Sequence, residues 1–432
     1  MGNRKWDRYG PSTYRATPIP YYRPIADDPY HSSFISYHPV PYHQQIVEEK
    51  DASHSEPSSS VSFITNLPDD MLVKVLSYLP VASAIRASLV CKRWFEVVRS
   101  FSWRGSTDDP TPPQKPWYFM FTCGNRSVAG FAYDASYRKW HGLDFPCIEK
   151  GMWSFSSSNG LVGLIDIENG YRIFLCNPIT KDWRAFTKLP GVTSPDYCAI
   201  ALSADRRSNK YKMALVKCFQ VHVDLYEWDL SIHLYQPDTD SWLSPYSEVL
   251  VGSRGGDECV ICDGVLYYLI STAGILGAVE PRHAVVCFDL SNPNHRPKER
   301  LVDTMVRVPC ALTCARLMNL QEKLVMVGGI GKVDRPGVVK GIGIWELCKK
   351  EWKEMTRMPQ KFFQGFGEFD EFFASNGSGD LIYIQSYGSP ALLTYDISQK
   401  IWKWASKSPL HKKFPLQIFS GFCFEPRLEI GV

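Results

Sequence analysis

In "LPDDMLVKVLSYLP" (67–80) the apolar residues Leu72, Val75, Leu76 and Leu79 fall at i, i+3, i+4 and i+7, which predicts one stripe on one helix. Pro68 suits a first helical turn, Asp69 and Asp70 favour a helix N-terminus, and Pro80 closes the segment. "SAIRASLV" predicts a second short helix. "VCKRWFEVV" predicts a third, with Val90, Trp94 and Val97 on one side. A unit of about forty residues buries too little surface to be stable alone. Either these helices dock on the domain C-terminal to them, or they present apolar surface to another protein; the residues leave both open.

From Trp117 onward the pattern changes to strands and turns. An apolar strand, a second strand, a polar turn and a Trp recur in "FAYDASYRKWHGLDFP" (131–146), "FLCNPITKDWRAFTKLP" (174–190), "HLYQPDTDSWLSP" (233–245), "GIWELCKKEWKEMTRMP" (343–359) and "LTYDISQKIWKWASKSP" (393–409). A sixth copy, 285–309, lacks the Trp, and every copy closes on Pro. Upstream strands open on Gly, Asn or Asp, as in "SNGLVGLID" and "CDGVLYYLIS". The spacing of roughly fifty residues is the period of kelch-type blades. The pattern predicts a mainly β chain, a kelch-like six-bladed β-propeller over 107–432. In it, the double glycine at Gly328 and Gly329 lets blades approach and each Trp packs one sheet onto the next. The terminal "LQIFSGFCFEPRLEI" is less than a unit, so it is expected to add a strand to the first blade and close the ring.

Residues 1–60 have no period. They are rich in Tyr, Pro, Ser and His, and the prolines block both helix and ladder, which predicts a disordered or extended leader. The remaining composition, 44% hydrophobic and 22% charged, allows a sizeable core. A net charge of +3 on 432 residues argues against a nucleic-acid binder working by phosphate neutralisation. Thirteen scattered cysteines without a secretory apolar region read as reduced thiols, placing the chain in nucleus or cytoplasm. The sequons at Asn125 and Asn376 are then expected to be unmodified. No apolar run has transmembrane length. Gly2 lacks the Ser or Thr of a myristoylation motif, since Trp6 stands there.

Catalytic and metal chemistry find no constellation. Cys259 and Cys262 form a lone CxxC whose members face opposite sides of a strand; Cys310 and Cys314 have no matching His. "GGIGK" lacks the spacing and the Ser or Thr of a phosphate loop and reads as a propeller turn. Six dispersed histidines outside the leader do not make a copper site. The expected result is no catalytic residue, no metal and no cofactor.

The helical segment, with its Leu-Pro start, acidic residues, apolar helix and "VCKRW" finish, resembles an F-box, here bounded at 61–106. Followed by kelch-like repeats, it resembles the plant F-box/kelch family. "KPWYFMFT" (115–122), "GGIGKVDRPGVVKGIGIW", "QGFGEFDEFFAS" and "SYGSPALLTYD" carry the likeness across 64–432. The resemblance implies the substrate receptor of an SCF-type ubiquitin ligase. The F-box would bind a Skp-type adaptor, and through it cullin and a RING subunit; the propeller would hold a protein substrate for ubiquitination and proteasomal degradation.

Carried over, Leu67 and Pro68 start the adaptor contact, and Leu72, Leu76, Leu79, Ile85, Val90, Cys91 and Trp94 fill or support it. Some of these must be the module's own core. Kelch propellers share one face between the loops joining second to third strands and the loops between blades. Here those include 271–283, 332–341 and 360–367, which gives Arg282, His283, Asp334, Arg335, Phe362, Phe363 and Gln364 as substrate-binding candidates. Competing readings are a scaffold whose helices dock internally, and a propeller enzyme.

Overall fold

The structure, a computed structural model, describes residues 67–99, 114–122, 129–145, 153–167, 172–186, 189–191, 195–205, 210–221, 226–272, 283–291, 300–331, 338–366, 373–411 and 418–432. The leader, the domain limits drawn at 60/61 and 106/107, and the candidates Arg282, Asp334 and Arg335 lie outside them.

Three helices come first: α1 (Asp69–Ser77), α2 (Val81–Ala87) and α3 (Lys92–Arg99). The strands then form six four-stranded antiparallel sheets. Blade 2 is β4 (Trp153–Ser158), β5 (Leu161–Asp166), β6 (Arg172–Cys176) and β7 (Trp183–Phe186). Blade 3 is β8 (Tyr197–Ala204), β9 (Tyr211–Gln220), β10 (Glu227–Gln236) and β11 (Ser241–Val251). Blade 4 is β12 (Ser253–Cys262), β13 (Val265–Thr272), β14 (His283–Asp289) and β15 (Val306–Arg307). Blade 5 is β16 (Leu312–Leu320), β17 (Lys323–Gly331), β18 (Val339–Cys348) and β19 (Glu351–Arg357). Blade 6 is β20 (Phe373–Ser378), β21 (Leu381–Ser386), β22 (Leu392–Asp396) and β23 (Ile401–Trp404).

Blade 1 is assembled from both ends of this region. β24 (Phe419–Phe424) pairs antiparallel with β1 (Trp117–Thr122), from Trp117 opposite Phe424 to Thr122 opposite Phe419. β2 (Ala129–Asp134) and β3 (Lys139–Asp144) complete it. The strand expected from the C-terminal segment is therefore present and innermost. The first strands β4, β8, β12, β16, β20 and β24 touch in sequence, and β24 meets both β20 and β4. This closes the ring and leaves only the outermost strands as edges.

The core lies in the seams between blades. Six buried apolar clusters fill the six seams, as with Phe119, Phe121, Val162, Leu164 and Phe422 between blades 1 and 2. A strand sandwiched between two seams is buried on both faces, so β1 ("WYFMFT") and β5 ("LVGLID") are apolar runs without alternation. Outer strands such as β3 and β23 face water on one side, and their exposure alternates. Tight turns link first to second strands: Asn159 and Gly160 at φ 48° and 90°, Asp263 and Gly264 at 46° and 75°.

The recurring sequence unit is the outer half of a blade. Trp140, Trp242, Trp352 and Trp402 pack into the seam with the preceding blade, as expected. Trp183 does not; it is 49% exposed. The copy without a Trp has the shortest outer strand, Val306–Arg307, preceded by a 3₁₀ turn (Leu301–Thr304) whose Leu301 fills the seam with blade 3.

Four expectations need correction. Gly328 and Gly329 make room for their own blade: an added Cβ would meet Leu312 and Trp345, or Thr313, Val339 and Cys314. "GGIG" (328–331) lies within β17 and is no turn. Pro245 does not close its unit but sits inside β11, an outermost strand whose free edge tolerates a missing N–H. Residues 360–365 form a short helix, α4 (Gln360–Gly365), and not a loop.

Candidate functional site: an apolar helical face and the opposite end of the propeller

Pro68 is the N-cap of α1, its carbonyl accepting the Leu72 N–H at 3.0 Å. Arg93 of α3 crosses back, its Nε bonding Asp69 Oδ1 at 2.8 Å and its Nη2 bonding the Leu67 carbonyl. This cross-tie fixes the Leu-Pro entry against α3. Inside, Leu72, Leu76, Val97 and Val98 are buried, with Leu67, Leu79 and Trp94 packed around them. Leu72 and Leu76 are thus the module's own core and have no surface left for an adaptor. Leu67, Leu79, Ile85 and Trp94 are half-buried, whereas Pro68, Val90 and Cys91 are exposed. Val90 precedes α3 in a turn and does not share the inward side of Val97.

The outward face was largely missed by periodicity. Met71 and Val75 of α1 and Tyr78 at its C-cap, with Leu89, Val90 and Phe95, are exposed. They are six of the fourteen exposed large hydrophobics among the described residues; Met71 and Val75 lie on α1, Phe95 on α3, and the other three between the helices. Val75 belongs to the predicted stripe but points outward, because a helix this short needs only Leu72 and Leu76 to meet α3.

The same module also docks inward. Leu428, beyond β24, joins its core, and Ala82 of α2 joins the seam of blades 1 and 2. The Val81 N–H donates to Gln114 Oε1 at 3.1 Å. Around Leu428 the chain is held to blade 2: Asn177 Nδ2 donates to the carbonyls of Arg427 and Ile430 at 3.0 and 2.7 Å, and Ile430 and Val432 enter the seam of blades 2 and 3. Arg427 pairs with Glu425 and Glu429 at 2.8 and 2.9 Å, lying over Gly160 where a Cβ would clash. Residues 425–432 therefore latch the helices to the propeller. Leu428→Asp is expected to speed amide exchange in α1 and α3 about tenfold or more, while the propeller seams keep their protection, measured by hydrogen–deuterium exchange.

Antiparallel order places the turns at 159–160 and 177–182, which touch this latch, at one end of the strands. The connections between second and third strands and between blades lie at the other end. Of the substrate candidates there, His283 opens β14; its Nδ1 lies 2.9 Å from Ser271 Oγ and its Nε2 3.4 Å from the Thr313 carbonyl. One nitrogen faces its own blade and the other faces blade 5. Phe362 and Phe363 pack against the seam of blades 5 and 6, Phe362 lying 6.0 Å from Trp404 between ring centroids. They anchor α4, and Gln364 beside them is exposed. The structure does not bring these candidates to a common site.

The ring's centre holds a polar group that sequence reasoning missed. Arg316, its side chain 11% exposed, ties three blades together: Nη1 to Glu258 Oε1 at 2.7 Å, Nε to the Phe373 carbonyl at 2.9 Å, and Nη2 to Tyr387 Oη at 3.2 Å. A cavity of about 290 Å³ lies alongside, lined by Ser156, Ser158, Glu258, Asn319, Glu322 and Glu425 among others. Burial works against the Arg316 charge, but Tyr387, Glu258 and Asp257 hold it ionised well above its ordinary range. Burial pushes the Glu258 carboxyl up to about 7 against the pull of Arg316. A raised folded pKa stabilises the protein below the unfolded value near 4.5, and that contribution is lost as pH rises through 7. The protein is expected to lose stability between those limits, and Glu258→Gln to flatten the dependence, read from denaturant melts across pH.

An F-box-like family profile matches residues 64–106. Among curated proteins, an F-box/kelch-repeat protein of Arabidopsis thaliana, At3g61590, is 49% identical over 409 residues, 93% of this chain and 98% of its own. The chain belongs to the plant F-box/kelch-repeat family. F-box only protein 13 of the same plant is 34% identical over 437 residues, covering 89% and 90% of the two chains. UNUSUAL FLORAL ORGANS, also from Arabidopsis thaliana, is 22% identical over 401 residues, covering 85% and 86%.

In this F-box/kelch-repeat chain the CxxC cysteines do point apart: Cys259 packs into the seam of blades 3 and 4, Cys262 into that of blades 4 and 5. Burial pushes both thiols up, away from the thiolate a metal needs. No group of three metal-ligating side chains occurs among the described residues.

Proposed function

We propose that this chain is the substrate-recognition subunit of an SCF-type ubiquitin ligase, acting in nucleus or cytoplasm. Its F-box engages a Skp-type adaptor, and through it cullin and a RING subunit, while the propeller holds a protein substrate for ubiquitination and degradation. The observation that carries this reading is the exposure of large apolar side chains on α1, on α3 and in the turns between the helices. The exposure of Met71, Val75, Tyr78, Leu89, Val90 and Phe95 within some twenty-five residues is costly in water unless a partner covers them. Family membership supports the same role, and we read the likeness across 64–432, "KPWYFMFT" and "SYGSPALLTYD" included, as kinship with Hawaiian Skirt.

In this role the chain performs no covalent step. It holds substrate near a ubiquitin-charged enzyme, and the rate gain comes from effective concentration. The scaffold reading draws on Leu428, which docks the helices inward, but it leaves the outward face without a purpose. Co-expression with a Skp-type adaptor tests the proposal: wild type should retain the adaptor and Leu67→Ala/Pro68→Ala should lose it. No retention by the wild type would favour the scaffold; equal retention by both would reject this contact.

A further inference from the structure

A pocket of about 250 Å³ opens at the seam of blades 6 and 1. The connection between β21 and β22 and the chain that follows β23 build it. Pro390, Leu392, Trp404 and Leu410 are among its lining residues, and no residue of the F-box helices is. Its walls are pinned from both blades. The Ala405 N–H donates to the Leu392 carbonyl at 2.9 Å, and the Leu410 N–H to Ser408 Oγ at 3.1 Å. From blade 1, Trp140 Nε1 donates to the Ser406 carbonyl at 2.9 Å, and the Arg138 carbonyl accepts from Ser406 Oγ at 3.0 Å. Gly365 lies against Trp404, where an added Cβ would stand 2.7 Å from the indole. The pocket therefore exists before a ligand arrives, which lowers the ordering cost of binding.

The ionisable residues lining this pocket are Lys407 and His411, and no carboxylate lines it. Both are exposed, and among the described residues neither is in an ion pair or a hydrogen bond. An unpaired surface lysine is ordinary. Here it belongs to the wall of a preformed cavity lined mainly by apolar residues. Lys361 of α4 adds positive charge nearby: its ammonium stands 5.1 Å over the Phe362 ring, which lies 6.0 Å from Trp404. Pockets for whole small molecules run from about 300 Å³ upward, so this one better fits a single large side chain.

We propose that this pocket docks an extended segment of the protein substrate through one large apolar side chain, while an acidic side chain two residues away meets Lys407 and His411. The inference rests on the substrate-receptor reading and gives that role a contact and a substrate class. Side chains two apart in an extended chain project to one side, about 7 Å from each other. Anchor and acid therefore reach pocket and cations together. The apolar anchor supplies affinity by leaving water for a preformed pocket, and the acid selects partners by charge. Phe362 and Phe366 rest on Trp404 at 6.0 and 4.6 Å, so the aromatics of 360–367 support a wall of this pocket.

The test uses the full chain, with and without a co-expressed Skp-type adaptor, and fluorescein-labelled eight-residue peptides in a glycine–serine background, read by anisotropy. A peptide with glutamate and phenylalanine two positions apart should bind, and binding should fall as salt rises. Replacing its phenylalanine by alanine, or its glutamate by lysine, should weaken binding at least tenfold. Lys407→Glu should weaken binding of the first peptide at least tenfold and Lys407→Gln severalfold, both at the wild-type melting temperature. Ala391→Trp, which fills the pocket, should abolish it. Lys353→Glu, at an exposed lysine of blade 5, should leave it unchanged. No binding of the first peptide, equal binding of the alanine or lysine peptide, or equal loss in Lys353→Glu would overturn the proposal. Adaptor retention in the same samples reads the ligase assignment separately. Adaptor held with peptide binding insensitive to residue 407 defeats the pocket alone; adaptor lost with peptide binding sensitive to it defeats the ligase reading alone.

Discussion

Deleting residues 418–432 is expected to abolish cooperative folding of the entire propeller, although it removes less than one blade. The removed segment contains β24, which is the inner strand of blade 1 and the neighbour of both β20 and β4. Without it the ring is open, β1 loses a full ladder, and two seams face water. Phe419, Phe422 and Phe424 are all essentially fully buried. Phe422 alone meets Phe119, Phe145 and Phe155 with ring centroids 5.6, 5.6 and 4.4 Å apart. Phe422→Ala should cost about 3–5 kcal/mol, and the deletion several such terms together with the broken ladder. Thermal melts followed by near-ultraviolet circular dichroism read both. A deletion variant that melts at the wild-type temperature would show that blade 1 closes the ring without β24.

The second large effect separates surface from core within the F-box. Val75→Asp should abolish adaptor recovery while leaving the melting temperature in place, because Val75 is 54% exposed and touches no described core cluster. Burying an unpaired carboxylate at such an interface costs several kcal/mol, enough to reduce binding a hundredfold or more. Leu72→Ala should do the reverse in order of cause. It empties the space between α1 and α3, costs about 2–5 kcal/mol, and loses the adaptor through local unfolding. Hydrogen exchange distinguishes the two, since only Leu72→Ala should raise exchange throughout α1 and α3. Full adaptor recovery with Val75→Asp would remove this face from the interface.

The two effects meet in the last eight residues. Leu428 sits among the helices while Ile430 sits between blades 2 and 3. The strand that closes the ring therefore continues directly into the segment that holds the F-box. A truncation after Phe424 would test the latch without opening the ring.

The residues themselves determined the order of elements. Proline-bracketed helical spacing over 67–80 gave a helix, and the Trp-containing units gave the outer halves of five blades. The short fragment left at the C-terminus required a ring closed by β24, and the spacing of three between Cys259 and Cys262 required opposite faces. These features are local or periodic, so a strand's pitch or a helix's turn is enough to read them. What only the tertiary structure decided depends on neighbours distant in sequence. Val75 and Leu76 are adjacent and both apolar, yet only packing against α3 decides which one is buried. Arg316 gains its role from Glu258, Phe373 and Tyr387 on other blades, and no spacing announces that tie. The pocket beside Lys407 exists because the chain after β23 meets blade 1, where Trp140, 266 residues earlier in sequence, fixes Ser406; no local period spans the ring closure that brings them together.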